Sequence, residues 1–198
     1  GVCVGYDMLT VLVIDESRSR AGEICAGLAL AGYQVAAILA GSENLTAEVE
    51  KLQPDVILID TDSPSRDTLE HLATMNKDMP RPIVMFTQED GRDNIRDAVK
   101  AGVSAYIIDG LDPKRIKPIV EVARARFEES QALRRELDEI SRKLTDRKLV
   151  DKAKGVLMKA RGLDEDAAYH AMRKLAMERG QTMAKVARDV IDMAKVLL

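Results

Sequence analysis

The chain has 198 residues, of which 46% are apolar and 32% charged, with a formal net charge of −3. That length suits one large domain or two small ones, and the balance is that of a globular protein. No apolar run reaches the ~18 residues of a membrane-spanning helix, and Cys3 and Cys25 have neither metal-ligand spacing nor the density of a disulfide framework.

Residues Gly1–Asp7 precede Met8, which has the look of a natural start, and no basic segment leads into an apolar core there. A cytoplasmic location is expected. The first predicted strand is Thr10–Asp15 (TVLVID). Ile24, Leu28 and Ala31 recur at helical spacing, which predicts a helix over Ser17–Ala31 closed by Gly32. Tyr33–Leu39 reads as a second strand and Asn44–Leu52 as a helix. Asp55–Asp60 (DVILID) is the clearest buried strand, because its apolar run hardly alternates. A helix over Ser65–Lys77, a strand over Pro82–Thr87, a helix over Arg92–Ala101 and a strand over Ala105–Asp109 follow, and Asp112 opens the next helix. Five strands alternating with helices predict a doubly wound parallel sheet of α/β class. Its functional crevice lies beyond the carboxyl ends of the strands.

Those ends carry Asp15 and Glu16, Asp60, and Thr87. Three carboxylates at one sheet edge are oxygen ligands of the kind Mg²⁺ prefers. Asp60 would then be a carboxylate nucleophile for phosphoryl transfer, the metal offsetting charge. No second catalytic constellation accompanies it, so an enzyme is not expected.

Over residues 8–122 this pattern resembles a response-regulator receiver domain. The resemblance implies that Asp15 and Glu16 are the metal-binding acid pair and Asp60 the phosphoacceptor. It makes Thr87 the hydroxyl that contacts a phosphoryl group and Tyr106 the switch aromatic. One position departs. Receivers carry Lys-Pro at the end of strand five, where this chain has Asp109-Gly110, and the nearest lysine, Lys114, belongs to the next helix. A phosphoryl group would lose a charge-assisted partner there, and Asp109 adds a like charge. The expectation is a receiver shape kept for protein contacts, with no resident cofactor beyond weak Mg²⁺ at Asp15, Glu16 and Asp60.

From Asp112 to Gly155 no helix breaker interrupts the chain, since Pro113 suits a first helical position and Pro118 lies near the first turns. Residues 123–136 of this helix connect the two halves, and a heptad seam traced along it is best from Leu133 to Leu144, at Leu133, Leu137, Ile140 and Leu144. The seam is either a homodimer stalk or one helix packing on its own domain; the dimer is favoured, because so long a helix outruns one small domain.

The charge divides along the chain. Residues 1–129 hold 14 Lys+Arg and 22 Asp+Glu, whereas residues 130–198 hold 16 and 11. A basic rear half suits a polyanionic partner. Its centre is Leu144–Met158, where Arg147, Lys148, Lys152, Lys154 and Lys159 oppose Leu149, Val150, Ala153, Val156 and Leu157 at helical spacing. Gly155 interrupts this helix at a cost of roughly 1 kcal/mol against Ala. Close approach of another backbone, nucleic acid included, is one reason to keep it; a solvated basic helix is the plainer reading. Gly162 and Asp164 then break the chain. Asp164 caps a helix ending at Arg179-Gly180, and Thr182 caps a last one over Met183–Leu197. Met158, Met172, Leu175, Met177, Met183, Val186, Val190, Ile191 and Met193 are expected to form a small core.

Arg147-x-x-Val150-x-x-Ala153-Lys154-Gly155-Val156-Leu157-Met158, followed by Ala168-Tyr169, Met172-Arg173, Ala176-Met177 and Val186-Ala187, resembles the signature of the ANTAR output domain over residues 137–198. With the segments DVILIDTDSP, RPIVMFT and GVSAYI, the chain is similar to NasT-type members of that family. The resemblance implies an RNA-binding antiterminator that holds hairpins in nascent leader mRNA while RNA polymerase transcribes. It also implies nitrate or nitrite assimilation as the regulated process and a NasS-like nitrate/nitrite sensor protein as partner. The RNA contacts would fall on Arg147, Lys148, Lys152, Lys154, Gly155, Lys159 and Arg173. Tyr169 is the sole aromatic of the rear half, so no RRM-type stacking platform is available. The alternative is a DNA-binding response regulator switched by phosphorylation of Asp60. Against it, the last helix offers only Lys185, Arg188 and Lys195 to base edges. His71 and His170 are isolated and carry no metal-ligand spacing.

Overall fold

A computed structural model describes residues 8–17 and 20–197. The expectations that fall on Gly1–Asp7, Arg18, Ser19 and Leu198 lie outside the described residues. Five parallel strands, β1 (Thr10–Asp15), β2 (Gln34–Leu39), β3 (Val56–Asp60), β4 (Ile83–Thr87) and β5 (Ala105–Ile108), form one sheet in the order β2-β1-β3-β4-β5. Helices α1 (Ala21–Leu30), α2 (Leu45–Leu52), α3 (Arg66–Asp78) and α4 (Arg92–Lys100) alternate with them.

The strands read as continuous apolar runs because both sheet faces are covered. Successive side chains point to opposite faces. Val11, Val13, Val56 and Leu58 therefore pack with Ile24 and Leu28 of α1, whereas Leu12, Ile14, Ile57 and Ile59 pack with Val49 of α2 and Leu72 of α3. The same register pairs Asp15 of β1 with Asp60 of β3 at the carboxyl edge.

A single 3-10 turn, Pro113–Arg115, opens on Asp112, whose carboxylate accepts from the Lys114 N–H at 3.0 Å. Helix α5 (Ile116–Arg161) follows, 46 residues long and continuous through Gly155. Pro118 costs it nothing, since the first N–H groups of a helix have no partner within it. Most element ends fall within one residue of expectation, and two of the differences bear on the carboxyl edge of the sheet. The helix expected from Ser17 begins at Ala21, and β5 stops before Asp109, whose φ of 57° is left-handed.

The chain divides into two compact units after Gln131. In the first, Ile116, Val120 and Ala123 of α5 pack against the sheet. In the second, α5 packs with α6 (Glu165–Arg179) and α7 (Met183–Leu197) around Ala153, Met172, Ala176, Val186, Ala187 and Ile191. Three alanines at these contacts let the helices approach closely. Asp164 caps α6 through the Ala167 N–H at 2.7 Å, and Gly180 ends it at a φ of 61°. Thr182 accepts from the Lys185 N–H at 3.1 Å and caps α7. The expected methionine core is corrected in part. Met172 is buried, but Met177, Met193 and Met158 are exposed. Helix α6 buries Ala168, Met172 and Ala176, a four-residue repeat that turns Met177 away.

Candidate functional site

Two clusters of chemistry-bearing residues stand out, one in each unit. The first lies at the carboxyl edge of the sheet. Asp15, Asp60 and Thr87 are buried there. The Ser17 hydroxyl stands 3.0 Å from Asp15 Oδ1 and 3.0 Å from Asp60 Oδ2. A hydroxyl has one proton to donate, so it serves one carboxylate at a time unless the other is protonated. Burial raises the Asp60 pKa; the Ser17 hydrogen bond and the Arg20 charge pull it back, while Asp15 and Asp62 push it up further. Glu16 turns elsewhere and accepts from the buried Thr68 hydroxyl at 2.9 Å.

Receiver domains can bind Mg²⁺ at such a pocket. Here the three carboxylates of the expected weak site do not converge: Asp15 and Asp60 face Ser17, and Glu16 faces Thr68. Among the described residues no group of three acids or other ligands is placed to hold a metal. The switch positions are also engaged. Thr87 Oγ1 donates to the Asp62 carbonyl at 3.1 Å and accepts from the Glu89 N–H at 3.2 Å. The Tyr106 hydroxyl donates to the Glu89 carbonyl at 2.8 Å.

Asp109, expected to add charge to the pocket, is exposed. With the Gln88 amide in the orientation that suits its neighbours, its nitrogen donates to the Asp109 carboxylate at 2.8 Å and its oxygen accepts from Arg20 at 3.1 Å. Sequence reasoning missed Ser17, Gln88 and Arg20. The signal was weak, because each is an ordinary loop residue until the fold gathers them. His71 is structural: its Nδ1 lies 2.8 Å from the Ser42 hydroxyl.

The second cluster lies on α5 and α6. Lys148, Lys152 and Lys159 are spaced by four and seven residues and so form one stripe, opposite the buried Ala153. They are exposed, as are Arg147 and Arg173, and among the described residues none of the five has a carboxylate within 4.0 Å. Lys154 differs. Its ammonium sits 3.2 Å from Asp151 and 2.9 Å from Glu165, with the side chain 16% exposed. The hydrogen bonds that the ammonium donates to Glu165 and Asp151 hold its pKa above the usual lysine value. Lys154 thus ties α5 to the first turn of α6.

Around it opens a cleft lined by Arg147, Asp151, Lys154, Gly155, Met158, Glu165 and Tyr169, with Val150 and Met183. Tyr169 and Met158 are exposed in it. Sequence reasoning placed the basic residues but missed Asp151 and Glu165 as part of the site. The seam residues Leu133, Leu137, Ile140 and Leu144 are 50–67% exposed.

Comparison with known proteins divides the chain in the same way. Residues 11–121 match the response regulator receiver domain and residues 138–191 the ANTAR domain. The transcriptional regulatory protein PdtaR of Mycobacterium tuberculosis is 29% identical over 182 residues, 92% of this chain and 89% of that protein. The nitrate regulatory protein of Klebsiella oxytoca is 37% identical over 83 residues, 42% of this chain and 21% of that protein. Among solved structures, a CheY-like receiver domain protein from Methanospirillum hungatei superposes with a TM-score of 0.54 at 22% identity, covering 62% of this chain and 98% of that one. That likeness shows the fold of the front unit.

Proposed function

The chain belongs to the response regulators that join a receiver domain to an ANTAR domain, and from that premise we propose that it is an RNA-binding transcription antiterminator. It holds hairpins in nascent leader mRNA and keeps a terminator from forming. The observation that carries this reading is the stripe of unpaired Lys148, Lys152 and Lys159 beside the open cleft at Gly155. Sequence-specific RNA readers combine such phosphate contacts with access to unpaired loop bases.

Control by a protein partner fits the front unit better than control by phosphorylation. In its acidic pocket Asp15 and Asp60 share the Ser17 hydroxyl, Glu16 is turned to Thr68, and Asp109 stands where a receiver carries its lysine. The nitrate regulatory protein among the relatives supports nitrate or nitrite as the signal. The partner in this reading is a NasS-like sensor whose affinity for the regulator differs between its empty and filled states, as any such switch requires. The freed chains pair through Leu133, Leu137, Ile140 and Leu144. No helix among the described residues is long and apolar enough to cross a membrane, and the reading places the chain in the cytoplasm.

The test is single-round transcription of a leader with paired hairpins ahead of a terminator. Added chain should raise read-through, and Asp60→Asn chain should raise it equally. Read-through that ignores the protein would end the antiterminator reading, and a variant locked on or off by Asp60→Asn alone would restore phosphorylation as the switch.

A further inference from the structure

The carboxyl edge of the sheet carries a cross-tie that the proposed function does not use. Arg20 lies in the loop after β1, Gln88 directly follows β4, and Asp109 directly follows β5. With its amide oriented to suit both neighbours, Gln88 accepts from the half-buried Arg20 guanidinium at 3.1 Å and donates to the Asp109 carboxylate at 2.8 Å. In the sheet order, β3 lies between β1 and β4. Neighbouring strands are about 4.8 Å apart, so a tie from the β1 loop to the β4 loop crosses the end of β3. The last residue of β3 is Asp60.

The charges agree with that path. Burial raises the Asp60 pKa, and the Ser17 hydrogen bond and then the Arg20 charge oppose the rise. A guanidinium is never deprotonated in a protein, so this positive charge is permanent. The Ser17 hydroxyl, 3.0 Å from an oxygen of each, keeps Asp15 and Asp60 one hydroxyl apart. Mg²⁺ retains several waters and needs only one or two protein carboxylates, so this pair suffices for it even with Glu16 turned to Thr68. A fixed cation across the pair repels a divalent ion and supplies part of the neutralisation that the ion would give.

We propose that Arg20 is a built-in cation that closes the Asp15–Asp60 pair to divalent metal ions, held across the sheet edge by Gln88 and Asp109. Asp109, where a receiver carries its lysine, fixes Gln88, and Gln88 fixes the guanidinium. A guanidinium also attracts a phosphoryl group, but transfer to Asp60 needs a divalent ion to offset charge, and the strap repels that ion. The carboxylate pair is thus a latent metal site that opens when the strap is cut. The assignment deepens the reading that Asp60 is not the switch, and it concerns the front unit alone.

The experiment uses the full chain and Mn²⁺, an ion that takes the same oxygen ligands as Mg²⁺, with bound ion read by water-proton relaxation. The parent should show only weak uptake, unchanged by Asp60→Asn. Arg20→Gln keeps a side-chain donor for Gln88 but loses the charge, and it should bind Mn²⁺ at least about tenfold more tightly. Adding Asp60→Asn should abolish that gain. Arg20→Lys keeps the charge and should stay near the parent. Gln88→Ala, which frees the far end of the guanidinium, should fall between. An Arg20→Gln chain that binds no better than the parent, or an Arg20→Lys chain that gains as much, overturns the strap. So does a parent whose uptake depends on Asp60. Should Arg20→Gln fold poorly, Gln88→Ala at its exposed position decides: a gain abolished by Asp60→Asn upholds the strap, and no gain overturns it. The switch reading is decided separately, by read-through with the Asp60→Asn chain.

Discussion

Replacing Leu137 and Leu144 together with aspartate is expected to leave a folded monomer that has lost its preference for paired hairpins. The two leucines are 67% and 55% exposed, and Leu133 and Ile140 beside them 53% and 50%. Four large apolar side chains at heptad spacing on one exposed helix face form a seam that water covers poorly and a second copy covers well. Aspartate at such sites removes no contact of the monomer's own core, so the melting temperature should barely move. Each carboxylate buried against a partner would be costly, so pairing should fail. Linking two sites raises avidity by roughly 10² to 10⁴ over a single one, and the double variant forfeits that factor. Sedimentation gives the oligomeric state, and titration with single and paired hairpins gives the preference. A variant shown to be monomeric that still binds paired hairpins like the parent would remove the dimer from the account.

The second large effect is expected from Lys148→Ala, Lys152→Ala and Lys159→Ala combined. Their side chains are exposed and none is ion-paired among the described residues, so stability should be almost unaffected. If each meets one phosphate, the slope of log affinity against log salt should become shallower by roughly two to three, and affinity at moderate salt should fall on the order of a hundredfold. Arg173→Ala, on the neighbouring helix, should add to the loss. Lys154 does not belong to this set. Its removal leaves Asp151 and Glu165 facing each other across the α5–α6 junction without their cation, so Lys154→Ala should lower the stability of the rear unit as well as binding. A triple variant with an unchanged salt slope would move the phosphate contacts elsewhere.

The elements themselves were legible wherever burial is two-sided or capping is explicit. DVILID could only be a central strand, because Ile57 and Leu58 meet opposite layers and neither face tolerates a polar residue. Asp164 and Thr182 announced their helices because a side-chain oxygen three residues before a free N–H is a local signal. The site was legible in its charges and not in its pairings. Lys154 reads as one more basic residue until the turn at Gly162 brings Glu165 back to it, eleven residues on. Asp109 reads as pocket charge until its left-handed φ of 57° and its bond to Gln88 take it out to the surface. Such contacts depend on side-chain direction across turns, which periodicity does not encode. The first helix starts at Ala21 and not at Ser17 for a related reason: Ser17 is drawn to the carboxylates of Asp15 and Asp60 and does not cap the helix.

The most direct measurement is the affinity of the full chain for paired RNA hairpins and for duplex DNA of equal charge, across a range of salt. A polyanion binder without RNA specificity would follow charge alone, with equal affinities and equal slopes for both. An RNA antiterminator should hold the hairpins at least tenfold more tightly, and the gap should persist as salt rises, because loop contacts are not screened as phosphate contacts are. Equal affinity for the two, or tighter binding to the duplex, would contradict the account and favour a DNA-binding regulator.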